Sequence, residues 1–211
     1  MKVILDIETI AQPIEVIRPL MPEFTPPANY KDPEKIAANL AEQQAKWIEG
    51  AALSAMTGRI AILGIKEVWG SNNTQIHVAE SLEDERSILA MFWAAIAEGP
   101  VIGWNLKGFD IPFIIQRSWI HGLRVKESVW NGKWLSNDFS IDLMERWCCG
   151  NGKQTAGLGA VSKACGVGEK TGTGAEFGKL WEIDRQKAIE YCRHDLELTF
   201  DLAKRMGVVH E

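Results

Sequence analysis

Apolar and polar positions alternate with a period of two over residues 2–8, "KVILDIE". Val3, Leu5 and Ile7 fall on one face and Ile4, Asp6 and Glu8 on the other. The pattern predicts a strand whose second face ends in two acids. Two more strands are predicted over 58–69 ("GRIAILGIKEVW") and 74–80 ("TQIHVAE"), joined as a hairpin by the Gly-Ser-Asn-Asn turn between them. The period then lengthens. "SLEDERSILAMFWAAIAEG" predicts a helix with Ser81 as N-cap, acids in its first turn and Gly99 as its stop. "PVIGWN" predicts a short buried strand, with the helix "DIPFIIQRSWIHG" starting at its end. After a mixed segment holding Trp130 and Trp134, "IDLMERWCC" and "TAGLGAVSKACG" predict two helices. Residues 183–207 predict a long last helix with Asp184 as N-cap.

Between the first and second strands the pattern breaks. Pro13, Pro19, Pro22, Pro26 and Pro27 block regular structure from Ala11 to about Ala28. "KDPEKIAANLAEQQAKWIEG" follows as a helix, with Asp32 as N-cap, Pro33 at the first helical position and Gly50 as a stop. The chain therefore predicts one domain, 1–211, with a Pro-rich and helical insertion at about 11–55. A hairpin group followed by a helix, a parallel strand and more helices predicts an α/β fold, a mixed central sheet with helices on both faces.

Composition narrows the classes of function. With 46% hydrophobic and 24% charged residues, a 211-residue chain can bury a proper core. A net charge of −5 argues against holding nucleic acid or membrane by bulk attraction, though a local basic patch is compatible with it. Cys148, Cys149, Cys165 and Cys192 show neither paired spacing nor a secretory leader, and are expected as reduced thiols of a cytoplasmic protein. No apolar run approaches the roughly 18 residues of a membrane helix.

Three short stretches carry candidate chemistry. Asp6 and Glu8 point the same way from one strand, about 6.5–7 Å apart along it. Alone, such a pair is more often a solvated strand edge. "VIGWNLKGFDIPF" places Asn105, Phe109 and Asp110 at the end of a buried strand, where open α/β sheets bind ligands, although Asp110 there is also an ordinary N-cap. In "YCRHDLELTFDL", Tyr191, Cys192, Asp195, Leu198, Thr199 and Leu202 share one helical stripe, with His194 and Glu197 off it at the surface. A carboxylate on a packing face needs a partner, either a salt bridge or a bound cation. Four carboxylates and a phenol suit two Mg²⁺ or Mn²⁺ ions, which take oxygen ligands and clamp a phosphodiester between them.

"LDIET", "GWNLKGFD" and "YCRHD" resemble the three motifs of the DEDD (DnaQ-like) 3'-5' exonuclease superfamily. The likeness is greatest to the proofreading exonuclease domain of family B DNA polymerases and its stand-alone relatives. The resemblance implies a ribonuclease H-like fold, with Asp6, Glu8, Asp110 and Asp195 as metal ligands. It implies that Tyr191 orients the attacking water, and that Thr9, Asn105 and Phe109 contact the substrate's 3' end. Glu190 stands where the histidine subtype would carry its histidine, so the tyrosine subtype is implied. The implied activity is two-metal hydrolysis of single-stranded DNA from the 3' end to 5'-nucleoside monophosphates, in replication or repair and away from membranes. RNA is the alternative substrate, because no quoted residue senses a 2'-hydroxyl. An idle nucleic-acid-binding accessory module and a small-molecule phosphohydrolase are the rivals from other classes.

Other signals are weaker. Trp104 is expected in the core, with Trp134 close to the site in sequence. "GNGKQT" fails as a phosphate loop, since Gln154 follows the lysine and Trp147 stands at the first glycine position. The Gly-rich stretch from Gly150 to Gly178 is either a plain connection or a loop bringing Lys153, Lys163 or Lys170 to a nucleic-acid backbone. Asp142 is expected as a cap or a supporting acid, and Arg117 as structural.

Overall fold

The computed structural model describes residues 2–69, 73–96 and 100–210. Most of the predicted turn at 70–73 and the predicted stop at Gly99 lie outside them. In chain order the elements are β1 (Val3–Ala11), α1 (Ile14–Ile17), α2 (Pro33–Glu49), β2 (Gly58–Glu67), β3 (Thr74–Val78), α3 (Leu82–Ala95), β4 (Val101–Gly103) and α4 (Asp110–Ile120). They continue with β5 (Trp130–Asn131), β6 (Trp134–Leu135), β7 (Ser140–Asp142), α5 (Leu143–Trp147), α6 (Leu158–Ala164), α7 (Phe177–Ile183) and α8 (Arg185–Arg205).

Five strands form one mixed sheet in the order β3, β2, β1, β4, β7. β3 pairs antiparallel with β2 and β2 antiparallel with β1, while β4 pairs parallel with β1 and β7 parallel with β4. Alternation along β1 divides the core into two layers. Val3, Leu5 and Ile7 pack with Leu89 and Phe92 of α3 and Ile111 and Ile114 of α4. On the opposite face, Ile4, Ile62 and Ile102 pack with Leu158 of α6, Phe177 of α7 and Leu196 of α8. This is the α/β arrangement of a ribonuclease H-like fold.

Local signals account for several helix starts. Asp32 caps α2 through Glu34 N, and Ser81 forms a reciprocal capping box with Asp84 at the start of α3. Asp184 caps α8 through Lys187 N, so that helix begins at Arg185 and Phe177–Ile183 is a separate helix. Three expectations change. The Pro-rich segment holds a short helix, α1, because Pro13 precedes its first turn and Ile17 is buried as an anchor. Ser140–Asp142 is a strand, since the open edge of β4 takes it up, and the helix expected there starts only at Leu143. Glu197 is no bystander: its carboxylate lies 3.0 Å from the ammonium of buried Lys66, which would otherwise be an unpaired internal charge.

One glycine sets how closely α8 can approach. Gly64 pairs with Asp6 across β1 and β2, and a Cβ there would come within 2.7 Å of Leu196 Cδ1 and 2.9 Å of Cys192 Sγ. A side chain at this point pushes α8 off the acid-bearing face. Gly64→Val is expected to destabilise the fold by about 1–3 kcal/mol through overpacking, measurable as a shift in the urea midpoint with an unchanged slope.

Candidate active site

β4 pairs with β1 only at Val3 and Ile4, so the amide of Ile7, further along β1, has no strand on that side. Asp110 supplies the acceptor: its Oδ1 lies 3.1 Å from Ile7 N. The carboxylate of α4's first residue is thereby held at the peptide between Asp6 and Glu8. Phe109, not Asp110, occupies the N-cap position of α4, and it makes no side-chain cap. The expected capping role is thus replaced by a tertiary one. Asn105 starts the turn that brings Asp110 back, with a left-handed φ of 55° and a carbonyl accepting from Gly108 N and Phe109 N.

α8 crosses the same face and presents Tyr191, Cys192 and Asp195 to it. Among the described residues the tightest group of possible metal donors is Asp6, Glu8 and Cys192, whose donor atoms lie within 4.8 Å of one another. The Cys192 thiol is 3.7 Å from Asp6 Oδ2 and donates to it. Asp195 is 2% exposed; its Oδ2 pairs with Lys170 Nζ at 2.6 Å, while its Oδ1 is buried with no hydrogen-bond partner. Lys170 also lies over the Tyr191 ring, 5.1 Å from its centroid.

The crowd of carboxyls resists ionisation. Withdrawal from water, then the neighbouring charge of Asp195, pushes Asp6 up to about 7. Glu8 rises well above the usual carboxylate range through burial and the charges of Asp6 and Asp195. Asp110 rises likewise through burial and Asp6. Asp195 rises through burial, with Lys170 opposing the shift. Burial also raises the Tyr191 phenol and the Cys192 thiol, so both keep their protons. Burial alone would lower the Lys170 ammonium, yet Asp195 and Tyr191 raise it.

Of the eight site residues expected from sequence, Asp6, Glu8, Asp110, Tyr191 and Asp195 converge on this face. Thr9 is buried just past it on β1, while Asn105 and Phe109 stand half-exposed at the rim, Phe109 packed on Phe113. Lys170 was expected at most to meet a nucleic-acid backbone; instead it sits inside the acid cluster. The signal that could have found it was Asp195 itself, which required a cation and lay on a helix facing the Gly-rich stretch. Asp142 caps α5 with Oδ1 and accepts from Lys107 N with Oδ2, and its charge adds to the rise at Asp110. Trp104 packs on the core as expected. Cys149 is exposed, unlike the buried Cys148 and Cys192.

A family described as a predicted 3'-5' exonuclease related to the exonuclease domain of PolB matches residues 53–210. The chain belongs to this family. Exonuclease domains of this kind use divalent metals, and the exonuclease-related chain offers a fitting donor set: hard carboxylate oxygens, mutually repelled, one of them orphaned. The family B DNA polymerase of the hyperthermophilic archaeon Pyrobaculum calidifontis has a similar fold, with a TM-score of 0.64 and 16% identity. That similarity covers 97% of this chain and 24% of the polymerase, so the chain spans about a quarter of the polymerase's length. No curated protein matches the sequence. No helix among the described residues is long and apolar enough to cross a membrane.

The raised carboxyls make stability depend on pH with a definite sign. Groups that bind protons more tightly when folded stabilise most below their unfolded values, and that contribution is lost as pH rises through the folded ones, about 7 for Asp6. Without divalent metal, the melting temperature is expected to fall from about pH 5 to pH 8. Mn²⁺ should restore it, more at the higher pH. Asp6→Asn should raise the metal-free value at the higher pH and shrink the gain from Mn²⁺, as followed by scanning calorimetry.

Proposed function

We propose that the protein is a metal-dependent 3'-5' exonuclease of the tyrosine subtype, degrading single-stranded DNA to 5'-nucleoside monophosphates. The observation that carries this reading is the clasp of Asp110 on Ile7 N, between Asp6 and Glu8, together with the orphaned oxygen of Asp195. Acids from three separated segments meet here, more of them than the single backbone amide held by Asp110 requires. Asp6, Glu8, Asp110 and Asp195 would hold two Mg²⁺ or Mn²⁺ ions. Activating a water and neutralising the charge that develops on the phosphodiester are what such ions supply when bound.

The chain's own groups do the rest. Tyr191, kept protonated, offers a hydroxyl to orient the attacking water. Lys170 fixes both Asp195 and the Tyr191 ring, and so positions the two α8 residues against β1. Water oxygen bonds to phosphorus as the bond to the 3' oxygen breaks, and the 3'-hydroxyl end left behind takes a proton. Asn105 and Phe109 at the rim receive the terminal nucleotide. The choice of DNA over RNA rests on the kinship with polymerase domains.

The test uses 5'-labelled DNA and RNA of one sequence, incubated with Mg²⁺, Mn²⁺ or EDTA. A descending ladder on DNA is expected, abolished by EDTA. Asp6→Ala and Asp110→Ala should each slow it by about a thousandfold or more, and Tyr191→Phe by about ten- to a hundredfold. Uncut oligonucleotides with either metal would sink the proposal, and a ladder on RNA alone would replace the substrate.

A further inference from the structure

We propose that the groove between the β5–β6 hairpin and the turn before α4 binds a nucleobase upstream of the substrate's 3' end, with Trp134 as its stacking platform. The proposal rests on the exonuclease reading above. The groove is about 660 Å³ and is lined by Asn105, Gly108, Trp134, Leu135 and Asn137 among others. A hairpin with two-residue strands is marginal by itself and must be held from below. Trp130 and Leu135, paired across it, pack on the core, and Trp130 stacks on Trp119 with centroids 6.3 Å apart. The other pair, Asn131 and Trp134, is turned outward, and Trp134 is 69% exposed, the most exposed tryptophan among the described residues. Its ring does nothing for the core.

The groove's floor leads into the acid site. Asn105 and Gly108 belong to the turn that delivers Phe109 and Asp110, and Asp142 in its wall accepts from Lys107 N and raises Asp110. A strand whose last nucleotide lies at Asn105 and Phe109 therefore passes this groove within a nucleotide or two. Its chemistry suits a base: an indole face, the amides of Asn131 and Asn137 for polar edges, and Lys133 Nζ 5.0 Å over the Trp134 ring as a neighbouring cation for phosphate. Lys107 is engaged by Glu145 at 2.6 Å and by Asn137, so stacking, not phosphate attraction, dominates.

The test compares a single-stranded DNA 15-mer with a p-nitrophenyl ester of thymidine 5'-monophosphate, which is too short to reach the groove. Trp134→Ala should raise KM for the 15-mer by about five- to a hundredfold more than for the ester, with kcat on the 15-mer largely kept, and Trp134→Phe should recover most of the loss. Equal KM for wild type and Trp134→Ala on the 15-mer overturns this proposal alone. A wild type silent on both substrates overturns the exonuclease reading and the subsite with it.

A separate observation concerns Glu8. β2 carries one extra residue opposite the Glu8–Thr9 step, so Glu8 pairs with Ile62 and Thr9 with Ile60. The freed Ile60 amide donates to Glu85 Oε1 at 2.8 Å. Glu85, fully buried, is gripped by Arg117 through two bonds of 2.9 and 2.6 Å and touched by His121, while Arg117 also donates to Ala55 O. We infer that Glu85 and Arg117 are positioning residues, setting the bulge that aims Glu8 from the opposite side of the sheet. Binding of Mn²⁺, read from the free-ion electron paramagnetic resonance signal, separates this from mere stability. Glu85→Ala should weaken Mn²⁺ binding by about tenfold or more, with Glu85→Gln rescuing much of it. If Glu85→Ala fails to fold, Arg117→Lys is read in the same way. A folded variant with wild-type Mn²⁺ affinity overturns the inference.

Discussion

The hydrogen bond from Ile7 N to Asp110 ties the site to the sheet. β4 is too short to cover β1 beyond Ile4, and the exposed amide further along would be an orphan in a buried place. Asp110 answers that need with one oxygen, and its carboxyl lies close enough to Asp6 to be raised by that charge. The same contact ends the β4–α4 turn, so the left-handed Asn105, the half-buried Phe109 and the start of α4 all follow from where that carboxylate must reach. A neighbouring strand that stops short along β1 is in this way the condition for the acid cluster.

That condition carries an electrostatic cost. Asp6, Glu8, Asp110 and Asp195 are more easily protonated than ordinary carboxyls because burial and mutual repulsion act together. Lys170 meets part of the cost through Asp195, the Cys192 thiol donates to Asp6, and Asp195 Oδ1 stays without a partner. A fold optimised only for stability would not assemble such a set. Buried carboxylate oxygens of this kind form a donor set that suits hard cations, with one internal ammonium already on hand.

Much of this was legible along the chain, for identifiable reasons. β1, β2 and α3 announced themselves because a single periodicity runs through each and one face is buried. The capping aspartates at 32 and 184 acted locally, so neighbouring residues sufficed to recognise them. β7 escaped notice because three residues become a strand only when a parallel edge is offered to them. α7 escaped notice between the glycine-rich stretch and the last helix, because it is seven residues long and is held by Phe177 and Trp181 in the core layer that α8 shares. Glu197 looked like surface because its partner, Lys66, is 131 residues away.

Spacing and residue type by themselves determined the helical stripe joining Tyr191 to Asp195 and the mixed α/β order of elements, while the acids stood out as a set only through the resemblance of three short motifs to an exonuclease superfamily. The stripe and the order follow from patterns repeated over a few residues. Tertiary structure alone decided that Asp110 bonds to the backbone between the other two acids instead of capping its helix, that Lys170 enters the cluster, and that Glu85 and Arg117 brace the bulge beside Glu8. Each of those contacts joins segments far apart in the chain. Their existence depends on which groups burial leaves unpaired, and that is known only once the sheet and helices have packed.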